Sequence, residues 1–405
     1  MMKSIFYCAT SMLMALPLVG FARQESDSLS HLKPTSSQLT SRISNIAHRI
    51  SNVENSYWFE VQEEEGPLLN ATHDASGEVE VAASNYRAHS LKFAWQLSPD
   101  HIYSSLYRMP LLGLGAYFGN FKNQDIGYPV ALFAWFEIPV LERKNFSFGY
   151  TGGFGLAWDF NAYNAEMNAD NVFISTTRNC YVDLSLYGSY RVNEHFAVGA
   201  SVGLKHFSNG ARRKPNYGIN IVPVGLTAKF QLSDHSRNVG HRPLDLPSYI
   251  PYWRLNAKVA YGLKQNSIGS PTYTKGTVGI SVMRQQSYKY RWGIGLEATL
   301  ALGEDDRGSR RTGWREVVSP AATLCWEWVV VPPVAVPVEL GAYLQQPKAG
   351  NGEQRWYYER VGVRAYLTQQ LWLGLTIKAH AASADFFEWG LGFALHNNTN
   401  PRMLR

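Results

Sequence analysis

From Phe146 to Phe160 one parity of the chain reads Phe146, Phe148, Tyr150, Gly152, Phe154, Leu156, Trp158, Phe160. The other reads Ser147, Gly149, Thr151, Gly153, Gly155, Ala157, Asp159. A period of two with aromatic residues on one face and small or polar residues on the other describes a strand between two different environments. The split recurs from Tyr288, with Tyr290, Trp292, Ile294, Leu296, Ala298 and Leu300 set against Lys289, Arg291, Gly293, Gly295, Glu297 and Thr299. The strands of a soluble β-sandwich also alternate. These segments differ from that case in three ways: they exceed about 5 to 6 residues, their aromatics cluster toward strand ends, and their second face carries Lys, Arg and Glu. Together these features predict a transmembrane barrel.

Further candidate strands lie near residues 87–97, 128–139, 180–191, 288–302 and 355–367. Some end in brief turns, such as Val192-Asn193-Glu194 and Thr368-Gln369-Gln370, and others in longer polar loops such as Asn161 to Asn179 and Gly303 to Gly313. Short turns at one end and long loops at the other are how outer-membrane barrels are connected. The spacing predicts about eight strands from Ser56 to Leu232 and about eight from Trp253 to Leu395. A polar linker, residues 233–252 with Pro243, Pro247 and Pro251, joins them. Setting Phe196 against Leu371 aligns FAVGASVGLKHFS with LWLGLTIKAHAAS, so the halves, 56–232 and 253–396, read as repeats. Inward positions of the first half are small: Ala197, Gly199, Ser201, Gly203, then Gly225 and Thr227. Small inward residues suit a lumen filled by its own side chains. The expected fold class is all-β, an antiparallel up-and-down outer-membrane β-barrel in two repeated halves, with two narrow tandem barrels preferred over one barrel of about sixteen strands.

Composition agrees with export to a membrane. Charged residues make up only 17% of the 405 residues and aromatics 13%, against about 25% charged in soluble domains. Disorder is excluded for most of the chain, and past the N-terminus no run of about 20 apolar residues suggests a spanning helix. Lys3, the apolar stretch Ile5 to Val19 and the small residues of Gly20-Phe21-Ala22 predict a signal peptide over residues 1–22. Residues 23–55 then read as a periplasmic leader, either disordered or a short helix or plug, since Leu39, Ile43, Ile46, Ile50 and Val53 recur at helical spacing. Once the signal is removed, Cys180 and Cys325 remain; a disulfide between them is permitted but not implied. Neither has metal-ligand spacing with a His, so no metal or cofactor is expected. The net charge of +6 comes without the interleaved Lys/Arg runs that mark nucleic-acid binding.

The stretch His206-Phe207-Ser208-Asn209-Gly210, followed by Pro215-Asn216-Tyr217-Gly218-Ile219-Asn220, closely resembles the active-site hairpin of the lipid A 3-O-deacylases, the acyloxyacyl hydrolase-like outer-membrane esterases. The resemblance covers the first half, most specifically residues 195–232, and the two-half layout resembles the longer members of that group. It implies His206 as base and Ser208 as nucleophile. The family's acidic partner is a Glu twelve residues after the Ser, a position that Asn220 occupies here.

Parity is an independent argument. Continuing by twos from Phe196, Val198, Ala200, Val202 and Leu204 reaches His206 and Ser208, and extending back from Val222, Val224, Leu226, Ala228 and Phe230 reaches Asn220. Three polar residues are thus expected on the lipid-facing surface beside one loop, near the outer leaflet if the N-terminus is periplasmic. Polar groups facing lipid are costly. Such residues permit acyl transfer to water: the imidazole takes the Ser hydroxyl proton and a third group fixes its tautomer. Asn209 and Gly210 are the expected oxyanion donors. Arg212, Arg213 and Lys214 would hold the phosphates of an anionic glycolipid, or else belong to an ordinary solvated extracellular loop.

In the second half Ala381 aligns with His206 and Phe387 with Asn220, although Ser383 matches Ser208 and His380 falls on the inward parity. That half reads as non-catalytic. The expected partners are lipid A or lipopolysaccharide of the outer leaflet and the membrane itself, with a homodimer allowed. The alternative reading is a non-catalytic outer-membrane barrel with a binding or structural role.

Overall fold

The structure, a computed structural model, describes residues 56–68, 71–73, 79–81, 85–96, 101–232, 246, 248–305, 308–331, 333–345, 355–380 and 383–396. The expected signal peptide, the leader helix and most of the linker lie outside the described residues.

The first half forms β1 (Ser56–Pro67), β2 (Asn85–Gln96), β3 (Leu111–Asn120), β4 (Gly127–Arg143), β5 (Phe146–Phe160), β6 (Asn179–Arg191), β7 (Phe196–Ser208), β8 (Ile219–Ile221) and β9 (Val224–Gln231). Neighbours pair antiparallel, and β9 closes the ring between β7 and β1. β8 and β9 share one strand position, interrupted at Val222-Pro223, where proline has no N–H for the ladder. The second half forms β10 (Tyr252–Gln265), β11 (Thr272–Gln285), β12 (Tyr290–Ala301), β13 (Val318–Val331), β14 (Val334–Tyr343), β15 (Tyr357–Tyr366), β16 (Leu371–His380) and β17 (Ser383–His396). Pairing of β10 with β17 closes it. The chain therefore carries two closed antiparallel barrels of eight strand positions each, in tandem along the sequence.

Outward positions keep the parity read from the sequence except at the end of β5, where Asp159 takes φ +65 and Phe160, expected on the aromatic face, is buried in the lumen instead. Leu184, Leu204, Leu226, Ile294 and Trp389 are all exposed, which in water would be costly for so wide an apolar surface and in hydrocarbon is favourable.

The lumens differ from expectation. Small inward residues do line part of the first barrel, where they make room for polar neighbours, and long charged side chains fill the rest. A Cβ on Gly225 would lie 2.6 Å from the Gln62 amide nitrogen, and one on Gly199 2.6 Å from the Thr227 hydroxyl. Lys92 reaches Glu60 at 2.8 Å, Lys229 bridges Glu60 and Glu137, and Lys205 lies 3.0 Å from Glu64 and 2.7 Å from Asp183. In the second barrel Arg360 engages Glu297 at 2.8 Å, Glu339 at 2.6 Å and Glu388, while Arg364 holds Glu327 and Glu339 at 2.6 Å each. A charge in so narrow a lumen is tolerated because a partner and further hydrogen bonds replace its water. Among the described residues Cys180 in the first barrel and Cys325 in the second are buried free thiols.

At the loop-rich end of the first barrel the lumen turns apolar. Phe121, Ile126, Phe160, Phe173, Ile174, Phe207, Ile219 and Ile221 pack there with Tyr117 and Tyr181. Phe173 and Ile174 belong to the connection between β5 and β6, so this long loop folds inward as part of the core. Because the ring closes within residues 56–231, a fragment ending near residue 233 is expected to fold in detergent and to migrate as a compact, heat-modifiable band. A fragment that stays unfolded while the full chain folds would mean that the ring needs the second half.

Candidate functional site

β7 and β8 place His206 directly opposite Asn220. His206 Nδ1 donates to the Asn220 carbonyl oxygen at 2.7 Å, because an amide oxygen can only accept. That bond leaves the Nε2 lone pair available to take a proton. Ser208 follows two residues along the same face, and the residue between them explains why. Phe207 is fully buried on the opposite face, its ring 5.4 Å from Tyr181, 5.5 Å from Phe160 and 5.6 Å from Tyr117. This anchor fixes the parity of its two neighbours. Across the ladder Val182 faces His206 and Cys180 faces Ser208, so both flank the pair from β6.

The site is not bare to lipid, as its parity had suggested. Ser208 is 1% exposed, and His206 and Asn220 are half-buried. The connection from β7 to β8 turns back over the strand end, where the Asn216 side-chain N–H donates to Ser208 Oγ at 3.0 Å. The Asn216 carbonyl oxygen accepts from the Asn209 backbone N–H at 3.2 Å, while the Asn209 side chain donates to Ser175 Oγ at 3.1 Å. Asn209 is thus engaged in holding the loop, and the amide aimed at the hydroxyl is that of Asn216. Periodicity could not indicate this, since the contact crosses a turn; the residue stands inside the motif nonetheless.

Glycine is required twice in this connection. Gly210 has φ +63 and Gly218 φ +75, conformations that side chains resist. A Cβ at Gly218 would also come 2.7 Å from His206 Cε1, so any larger residue there displaces the imidazole. Arg212 and Arg213 are exposed on the same connection, with Lys214 half-buried.

In the second barrel β16 carries a bulge at Lys378/Ala379, and His380 turns inward. Its Nε2 is 3.0 Å from the Tyr343 hydroxyl and its Nδ1 3.9 Å from Asp385. Ala381 lies outside the described residues, and Phe387 offers no polar group where Asn220 stands in the first barrel. Among the described residues no group of His, Cys, Asp or Glu is arranged to hold a metal ion.

Residues 253–397 match the family model described as acyloxyacyl hydrolase, C-terminal domain. The match falls on the second barrel rather than on the hairpin of residues 195–232 that carries the sequence resemblance. No curated protein matches the chain. Among solved structures, an outer membrane channel from Pseudomonas putida F1 aligns at 14% identity over 85% of this chain and 96% of that one, with a TM-score of 0.19. A BenF-like porin from Pseudomonas fluorescens Pf-5 aligns at 8% identity over 85% and 98%, with a TM-score of 0.21. Scores this low leave the architecture to be read from the strand pairing itself, which gives two closed rings with apolar exteriors. The chain is a bacterial outer-membrane β-barrel protein that resembles the lipid A deacylase family, its second barrel matching the acyloxyacyl hydrolase C-terminal domain.

Proposed function

We propose that the protein is an outer-membrane esterase that removes an ester-linked acyl chain from lipid A, with Ser208 as nucleophile and His206 as base. The observation that carries this reading is the His206–Asn220 hydrogen bond beside Ser208. Nε2 of His206 takes the Ser208 proton as the hydroxyl attacks the ester carbonyl, and returns it to the departing sugar oxygen. Water then repeats the sequence on the acyl-enzyme. The Asn216 amide, already donating to Ser208 Oγ, is suitably aimed to donate to the oxyanion that forms next to that atom. Arg212, Arg213 and Lys214 would meet the glycolipid phosphates at the outer leaflet, each as a charge-assisted donor.

Asn220 orients the imidazole but cannot stabilise the imidazolium as a carboxylate does. Asn220→Glu is therefore expected to raise turnover about tenfold or more, on the order of 1.4 kcal/mol of transition-state stabilisation, and Asn220→Ala to lower it. Mass spectrometry of lipid A incubated with purified protein in detergent measures both. The uncharged Asn220 also favours a second reading, a non-catalytic binding barrel; lipid A left unchanged by both the wild type and Asn220→Glu would select it.

A further inference from the structure

The connection from β5 to β6, residues 161–178, is tied down by asparagine side chains: Asn168 donates to the Asp125 and Asn161 carbonyls at 3.0 and 3.1 Å, and Asn171 adds bonds in each direction along the chain. Asn171 is 1% exposed. Its amide N–H groups donate to the carbonyls of Asp125 at 2.8 Å and Asn161 at 2.6 Å, and its carbonyl oxygen accepts from the backbone N–H of Phe173 and Ile174 at 3.2 Å each. Both donors and the acceptor are satisfied, a set that only an amide of this length offers. The knot fixes the backbone of residues 172 and 173. The Val172 carbonyl accepts from the Tyr217 N–H at 3.4 Å, and the Phe173 carbonyl from the Gly218 N–H at 3.0 Å. Two residues farther, Ser175 accepts from the Asn209 side chain.

These three contacts bracket the segment that touches the reacting groups. Asn216, next to Tyr217, donates to Ser208, and Asn220, two residues past Gly218, accepts from His206. We propose that Asn171 is a positioning residue for this site: by locking the β5–β6 loop against residues 216–218 it holds the Asn216 and Asn220 amides on Ser208 and His206. Asn171 touches neither reacting side chain. Its effect passes through backbone hydrogen bonds: Asn168 still donates to the Asp125 and Asn161 carbonyls, but loss of the buried amide takes the acceptor from the Phe173 and Ile174 N–H groups. The kinetic part of the proposal rests on the esterase reading; the placement of His206 does not.

The test uses the full chain in detergent micelles, with Asn171→Ala, which removes donors and acceptor, and Asn171→Asp, which keeps the acceptor and loses the donors. Turnover on lipid A is expected to fall at least about tenfold in Asn171→Ala and less in Asn171→Asp, with KM within about twofold and heat-modifiable migration retained. The 15N shifts of the His206 ring are expected to move from a single Nδ1-protonated tautomer toward a mixture. If Asn171→Ala fails to fold, Asn171→Asp decides. An unchanged His206 tautomer in a folded variant overturns the proposal, as does a loss of turnover that appears only together with loss of the folded band. If the wild type releases no acyl chain, the esterase reading fails and the tautomer alone decides the positioning role.

Discussion

Ser208→Ala and His206→Ala are each expected to reduce ester release by about four orders of magnitude or more, since removing one member of such a set disables the others. The two losses should not add, because a nucleophile without its base and a base without its nucleophile leave the same residual activity. Both variants are expected to retain heat-modifiable migration: the barrel end is anchored by Phe207, which faces the opposite way. Acyl release from lipid A by wild type and variants, measured side by side, checks this. Equal activity in all of them would make the hairpin a structural element.

Arg360→Met is expected to have the largest effect on stability. Arg360 is 1% exposed and is shared by Glu297, Glu339 and Glu388. Removing the guanidinium takes the ion-pair partner from buried Glu388 and one of two or more from Glu297 and Glu339, which keep Lys258 and, for Glu339, Arg364; losing one partner of a buried pair costs about 3–5 kcal/mol. The replacement has similar volume, so packing loss is not the cause. Denaturant titration of the full chain should show an early transition confined to the second barrel, with tryptic fragments from residues 252–396 appearing first. A fragment pattern like that of the wild type would mean that water or rearranged lysines compensate the three carboxylates.

The outward faces were legible because lipid imposes one rule on every second residue, as Phe146 to Trp158 illustrates, with Phe160 turned inward beyond them. The lumen was less so. Ala197 to Gly203 reads as a set of small fillers, yet Lys205 continues the same parity two residues later, and its partners Glu64 and Asp183 come from other strands. Ion pairs across a closed ring have no sequence spacing, since register and closure decide them. The His206–Asn220 pair followed from parity on two strands that face each other. Asn216 and Asn171 act across irregular connections, where no period applies. The repeated asparagines at 161, 164, 168 and 171 were the visible sign of a folded loop, because their side chains hydrogen-bond the backbone of turns.

The first barrel's ring closure is also an ionic seam. Glu60 and Glu64 stand on β1, the first strand to be made, whereas Lys229 and Lys205 stand on β9 and β7, among the last. Lys92 on β2 reaches Glu60 early, but until β7 arrives Glu64 lacks the Lys205 that pairs with it, and hydrocarbon offers no water in exchange. Strand-by-strand threading into the bilayer would therefore carry Glu64 without Lys205 until β7 is in place. The Glu64–Lys205 pair thus favours a ring gathered before it enters the membrane.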